Sequence, residues 1–238
     1  MLFELNSVYV INVKSFIERR KFIACQLKKF NLSAEFILDW DKNELTPEII
    51  EQYFMGDKLS KAQMSCAMKH IIALQKITQH KKGFSLVLED DAILARNFNE
   101  GVSKALKESE NFLGNKVIYI GSGGNFYTPK SQRIKGQSLY PGSRGRFTDS
   151  YIIDAETAQK RLNWIGKHKI SHPIDNQFDI IDKDEGIQIL WLEDPVVEQG
   201  SKSGRFVSQI EKSPPSWLQT ILFGWEKLRR KYIYQLWK

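Results

Sequence analysis

Short apolar runs alternate with segments of three- and four-residue apolar spacing along most of the chain. Residues 8–13, 34–38, 84–88, 117–120, 151–153 and 187–192 are compact apolar runs that predict strands. Between the first two, Phe16, Ile23, Leu27 and Phe30 recur at helical steps with basic residues in the gaps. Thr46-Pro47-Glu48 opens a helix with a cap, a proline at the first position and an acid in the first turn. Ser60-x-x-Gln63 is a capping box for a longer helix reaching about Gln79. Residues 98–111 and 155–164 are helical by the same spacing. This alternation predicts an α/β sandwich with a mainly parallel sheet, and no internal repeat interrupts it. Residues 121–147, rich in Gly, Ser and basic residues, lack periodicity. They read either as a segment that closes over a site or as an ordered surface loop.

The last 23 residues have a different pattern. Leu218, Ile221, Leu222, Trp225, Leu228, Tyr232 and Leu236 form a helical stripe, and Trp217, Tyr234 and Trp237 add rings suited to a headgroup layer. Pro214-Pro215 breaks the chain just before it. Charge separates this tail further. The chain has 238 residues and a net charge of +7, of which five basic residues against one acid place +4 within residues 216–238. The remaining body is near balance, so no nucleic-acid-tracking face is expected. An apolar stripe with a basic flank suits a helix lying on an anionic membrane; a helix packed on the domain itself, or a dimer contact, is the alternative.

At 42% hydrophobic content with 15 Gly and 7 Pro, the chain is globular rather than disordered or fibrous. Cys25 and Cys66 are too few for a disulfide framework and are expected as buried free thiols in a reducing compartment. The opening MLFELNSVYVINVK has no basic stretch ahead of a long apolar run, so a cleaved signal peptide is not expected. No run of about 20 apolar residues predicts a membrane span.

The most informative residues are Leu86-Val87-Leu88-Glu89-Asp90-Asp91, an apolar strand ending in three carboxylates. In open α/β sheets ligands bind beyond the carboxyl ends of strands. Adjacent acids repel unless a cation or donors compensate, and hard oxygen ligands suit Mg²⁺ or Mn²⁺ holding a diphosphate. A solvated acidic turn is the plainer alternative. His80, His168 and His172 lack paired spacing, so no zinc site is predicted. Gly121-Ser122-Gly123-Gly124 follows a strand but lacks the dinucleotide fingerprint and reads as a loop.

The LVLEDD stretch resembles the acidic motif of glycosyltransferase family 25, which includes bacterial lipooligosaccharide galactosyltransferases. Val8-Tyr9-Val10-Ile11-Asn12 with Glu18-Arg19-Arg20 resembles its opening strand and arginine-bearing helix. Leu59-Ser60 through Cys66 to Lys69-His70 resembles its L-S-x-x-E-x-x-C-x-x-S-H helix, with Gln63 and Lys69 departing from the usual Glu and Ser. Ser150–Ile153, Pro173-Ile174-Asp175 and Pro195 through Ser201 resemble later elements, so the likeness spans about residues 7–205.

The resemblance implies a glycosyltransferase A-type, Rossmann-like domain over residues 1–205, with residues 206–238 as linker and basic tail. It implies use of a nucleotide sugar, with inversion at the sugar carbon for the galactosyl branch, and does not by itself say which sugar moves. The expectation is transfer of a hexose, galactose first, from a UDP-sugar to a lipid-linked oligosaccharide, with the basic tail placing the chain at the inner face of the cell membrane. The resemblance also implies Mn²⁺ or Mg²⁺. Asp91 is the first metal-ligand candidate, with Glu89 shared between metal and donor, and Gln199 and His172 as further ligands. Asn12, Arg19, Asp39, His70, Glu89 and Asp90 are candidates for the donor side. Asp175 is the preferred base for the acceptor hydroxyl, with an N-cap as its alternative role, and Asp149 is the second choice. A nucleotidyltransferase, or a membrane-recruited adapter without catalysis, are the competing classes.

Overall fold

The computed structural model describes residues 5–56 and 58–201, together with Trp225 and Arg229. Most of the tail, 216–238, and its linker therefore lie outside the described residues. The elements follow one another as β1 (Ser7–Ile11), α1 (Ile17–Lys29), β2 (Glu35–Ile37), α2 (Pro47–Tyr53), α3 (Lys61–Ile77), β3 (Phe84–Glu89), β4 (Ala92–Leu94) and α4 (Phe98–Ser109). Then come β5 (Lys116–Tyr119), β6 (Leu139–Pro141), β7 (Ser150–Asp154), α5 (Ala155–His168), α6 (Ile174–Asp184), β8 (Gln188–Leu192) and β9 (Val197–Gln199).

Seven strands form one sheet in the order β2-β1-β3-β7-β5-β8-β6. β1 runs parallel to β2 and β3, and β5 parallel to β8; β7 is antiparallel to both its neighbours, and β6 is antiparallel to β8. Five of the seven strands point the same way, so the sheet is parallel-rich as the alternation leads one to expect, but β7 and β6 run against the rest and make half of the pairings antiparallel.

The strands are apolar on both faces because both faces are covered, as parallel sheets require. Tyr9, Ile11, Val87, Tyr119, Tyr151 and Ile153 pack with α3, α5 and α6 on one side. Their neighbours Val8, Val10, Leu86, Leu88, Ile118 and Ile152 pack with α1 and α4 on the other. The two-residue period of the strands thus sorts each apolar run into two cores.

Local signals set the helix starts. Ser60 and Gln63 form the capping box reciprocally, and Thr46 caps α2 ahead of Pro47. Asp154 caps α5 by accepting from Thr157 N at 2.8 Å. α6 begins after Pro173, so Asp175 sits within its first turn and is not its cap.

Two expectations are corrected, and one feature was not anticipated. Residues 121–147 are built into the body: β6 pairs with β8, and Arg146 is fully buried with Nη1 donating to Leu192 O at 2.5 Å. Thr128 N donates to Glu193 Oε2 at 2.9 Å, and Arg133 pairs with the same carboxylate. A small second sheet, β4 with β9, was not evident from the pattern. Both cysteines are free, but Cys25 is exposed, because Ile23 and Leu27 take the core-facing positions of α1.

Candidate active site

From β1 the chain crosses through α1 to β2 on one side, then returns through α2 and α3 to β3 on the other. The reversal opens a crevice between the carboxyl ends of β1 and β3, where α/β sheets bind ligands. A cleft of about 360 Å³ lies there. Its lining comes from Ile11 to Phe16 after β1, Asp41 to Asn43 after β2, and Glu89 to Asp91 after β3, with α1, α3 and Gln199 and Ser201 completing it.

The three acids have different surroundings. Asp90 is neutralised in place: its Oδ2 accepts from Asn12 Nδ2 at 2.7 Å and its Oδ1 from Arg19 at 3.0 Å. Burial still raises its carboxyl above the ordinary range against these two donors. Glu89 accepts from the Thr148 hydroxyl at 2.9 Å and lies 3.7 Å from His70 Nε2. Burial opposes its ionisation, but His70, Thr148 and Arg19 outweigh it and hold this carboxyl below the ordinary range.

Asp91 accepts from Ser201 N at 2.9 Å through Oδ2, while its Oδ1 is buried with no hydrogen-bond partner among the described residues. Burial, and then the charge of Glu89, push its carboxyl up to about 6. Gln199 Oε1 is a second buried acceptor without such a partner. β9 sets Gln199 opposite Ala92, directly after the acids.

Not every candidate reaches the cleft. Asp39 is exposed, and Asp41 lines the cleft instead; between them Trp40 takes a left-handed backbone with φ of 65°. His172 is exposed and bonds Ser171, outside the lining. His70 is fully buried behind the cleft wall, with Nδ1 3.1 Å from the Tyr151 hydroxyl.

Neither base candidate is on the lining of the cleft, and the two separate clearly in their surroundings. Asp149 is wholly buried at the start of β7, its carbonyl accepting from Glu89 N at 2.9 Å. Burial, with Glu89 and Asp91 adding to it, holds its carboxyl far above the ordinary range. Asp175 is half-buried, and burial followed by the charge of Glu89 raises it more modestly against the Asn176 amide. Both Glu89 and Asp175 act on the Cys66 thiol, which burial pushes up first.

Sequence reasoning missed Lys69 as a structural cation. It is 1% exposed, donates to the carbonyls of Leu38 and Asp39 at 2.8 Å each, and pairs with Asp41 at 2.9 Å. Its departure from the usual Ser was the available signal. Gln63, the other departure, is absorbed by the helix cap.

A model of the family described as glycosyltransferase family 25 (LPS biosynthesis protein) matches residues 5–178. The chain is 28% identical over 165 residues to "Putative glycosyltransferase R655" of Acanthamoeba polyphaga mimivirus, a match covering 64% of this chain and 51% of that protein. The match thus spans about half of the relative's length. Among solved structures, the inositol-1-phosphate CTP transferase from T. maritima aligns with a TM-score of 0.42 at 9% identity, covering 96% of this chain and 98% of that one. The catalytic domain of Drosophila β1,4-galactosyltransferase 7, in complex with xylobiose, aligns with a TM-score of 0.41 at 10% identity, covering 90% and 79%. With the family match running from β1 through the acids into α6, this chain belongs to glycosyltransferase family 25.

Proposed function

We propose that the cleft transfers a hexose, galactose first, from a UDP-sugar to a lipid-linked oligosaccharide of the lipooligosaccharide type, with inversion at the sugar carbon. One observation carries the reading. Two buried oxygen acceptors, Asp91 Oδ1 and Gln199 Oε1, have no hydrogen-bond partner among the described residues and stand beside Glu89, whose carboxyl is held below the ordinary range, at the switch point of the sheet. Unpaired buried acceptors are costly and call for a compensating cation.

Hard oxygen donors of this kind fit Mn²⁺ or Mg²⁺, and Asp91, Glu89 and Gln199 are the residues that would hold it. When bound, the ion supplies Lewis-acid stabilisation of charge on the departing diphosphate. The chain's own residues do the rest. Asn12 and Arg19 fix Asp90, so that this carboxylate presents a set geometry to the donor. Lys14 and Lys42 on the lining place positive charge beside the same cleft. Asp175, raised by burial but not sealed off, takes the proton from the acceptor hydroxyl. Asp149 is fully enclosed and burial raises its carboxyl well above the ordinary range, which suits it to shaping the site and not to meeting the acceptor.

The test is a panel of UDP-sugars, each supplied with label in the sugar or in the nucleotide. Sugar label reaching the acceptor only with Mn²⁺ or Mg²⁺ present is the expected result. Nucleotide label reaching the acceptor would establish nucleotidyl transfer instead, and transfer unaffected by chelator would remove the metal.

A further inference from the structure

Behind the acids, Glu89 also faces two side chains, Cys66 and His70, that the transfer reading leaves unused. Cys66 and His70 stand one helical turn apart on α3, and Glu89 ends the neighbouring strand β3. One ligand atom from each (the Cys66 thiol, a His70 ring nitrogen and a Glu89 carboxylate oxygen) falls within a set spanning no more than 4.8 Å. His70 is 0% exposed, yet its Nε2 has no hydrogen-bond partner among the described residues. Its other nitrogen, Nδ1, faces the Tyr151 hydroxyl at 3.1 Å. With Nδ1 anchored on that oxygen, Nε2 is directed to the side where Glu89 lies at 3.7 Å, and a cation bound there takes the place of the Nε2 proton that otherwise favours the Glu89 carboxylate. A ring held by one nitrogen and open at the other is the arrangement found in metal-bound histidines.

We propose that Cys66, His70 and Glu89 form a binding site for a thiophilic divalent cation, Zn²⁺ in particular, in the inner wall of the cleft. Tetrahedral zinc with bonds of about 2.0–2.3 Å separates its ligand atoms by about 3.3–3.8 Å. The His70–Glu89 separation already falls in that range, and the set as a whole needs about 1 Å of side-chain adjustment. Sulfur, imidazole and carboxylate select zinc over the hard cations that suit Asp91. Three protein ligands leave a fourth position, and Cys66 and Glu89 both line the cleft from which water would fill it. Binding replaces the thiol proton, which leaves to solvent. On the glycosyl-transfer reading, and resting on it, zinc here commits Glu89 and inhibits transfer.

The experiment uses the full chain as Cys25→Ser, so that Cys66 is the only sulfur a cysteine can supply; Cys25 is exposed on α1, away from the cleft lining. With one equivalent of zinc, X-ray absorption is expected to show one sulfur neighbour at about 2.3 Å together with lighter ligands. Cobalt in place of zinc is expected to give thiolate-to-metal charge-transfer absorption that zinc abolishes. The band should persist in Asp91→Asn and vanish in Cys66→Ser and Glu89→Gln. A shell of nitrogen and oxygen alone, or a cobalt band surviving Cys66→Ser, overturns the site. Full transfer with zinc bound overturns the inhibition. Neither metal readout involves a sugar, so failure of the site and failure of the transfer reading are told apart.

Discussion

Asp91 is where stability and chemistry pull against each other. Its carboxyl is pushed up to about 6, first by burial and then by Glu89. Because the folded value lies above the unfolded one, ionisation disfavours the fold. The penalty is absent below about pH 4, grows between about 4 and 6, and is complete above that, on the order of 3 kcal/mol. Asp91→Asn is therefore expected to raise the urea midpoint of the metal-free protein at neutral pH and to flatten its pH dependence in that window. The same substitution should abolish any Mn²⁺-linked thermal shift and lower transfer by about 100-fold or more. An unchanged midpoint at pH 7 would show that this carboxylate is not strained in the fold. Lys69 makes the opposite case. Its charge holds the 38–41 turn to α3 through two carbonyls and Asp41. Lys69→Met should cost about 2–3 kcal/mol in chemical denaturation and weaken donor binding, since Asp41 to Asn43 line the cleft. The sequence marked position 69 as unusual, but a buried lysine is recognised only once its acceptors, some 30 residues away, are brought to it.

At the scale of elements, the long strands and helices were legible because their periodicity is sustained and their caps are local. β4, β6 and β9 were not, because each has three residues and takes its pairing from distant chain. β4 meets β9 about a hundred residues later, and that pairing is what brings Gln199 beside the acids. Close packing behind the site was equally hidden. A Cβ on Gly121 would sit 2.4 Å from Ser150 Oγ and 2.5 Å from Asp149 Oδ2. Gly121→Ala is thus expected to cost about 1–3 kcal/mol and to displace Asp149 from behind Glu89 and Asp91, with turnover falling alongside stability. The α5–α6 contact allows a cleaner experiment. Arg161 donates to both oxygens of Asp182 at 2.8 and 2.6 Å, with both side chains fully buried, and its guanidinium lies 3.9 Å from the centre of the Phe178 ring. Arg161→Met strands a buried carboxylate and should cost about 3–5 kcal/mol; adding Asp182→Leu should recover most of it. α6 also carries Asp175, so the single variant should lose turnover before it unfolds. A double variant no more stable than the single would show that the pair is not what joins these helices.

For the whole molecule the decisive quantity is how charge is divided. Among the described residues, no helix is long and apolar enough to cross a membrane. Residues 216–238 hold five basic residues against one acid, with tryptophans and tyrosines between them, and on the proposed reading this tail brings the chain to a lipid-linked acceptor. Basic residues near an anionic surface contribute about 1 kcal/mol each, and that attraction fades within a Debye length. Removing residues 216–238 should therefore lower affinity for phosphatidylserine vesicles by about 100-fold or more. Raising the salt should mimic that loss in the intact chain. Transfer to a soluble acceptor should stay within about twofold, because the described lining of the cleft, the acids included, lies within residues 11–201. Transfer to an acceptor embedded in vesicles should fall with vesicle binding, since the tail acts there through local concentration and not through the chemistry. If vesicle binding were instead unchanged while the truncated body lost stability, the apolar stripe would belong to the fold's own packing, and the acceptor would have to be brought to the cleft by some other surface.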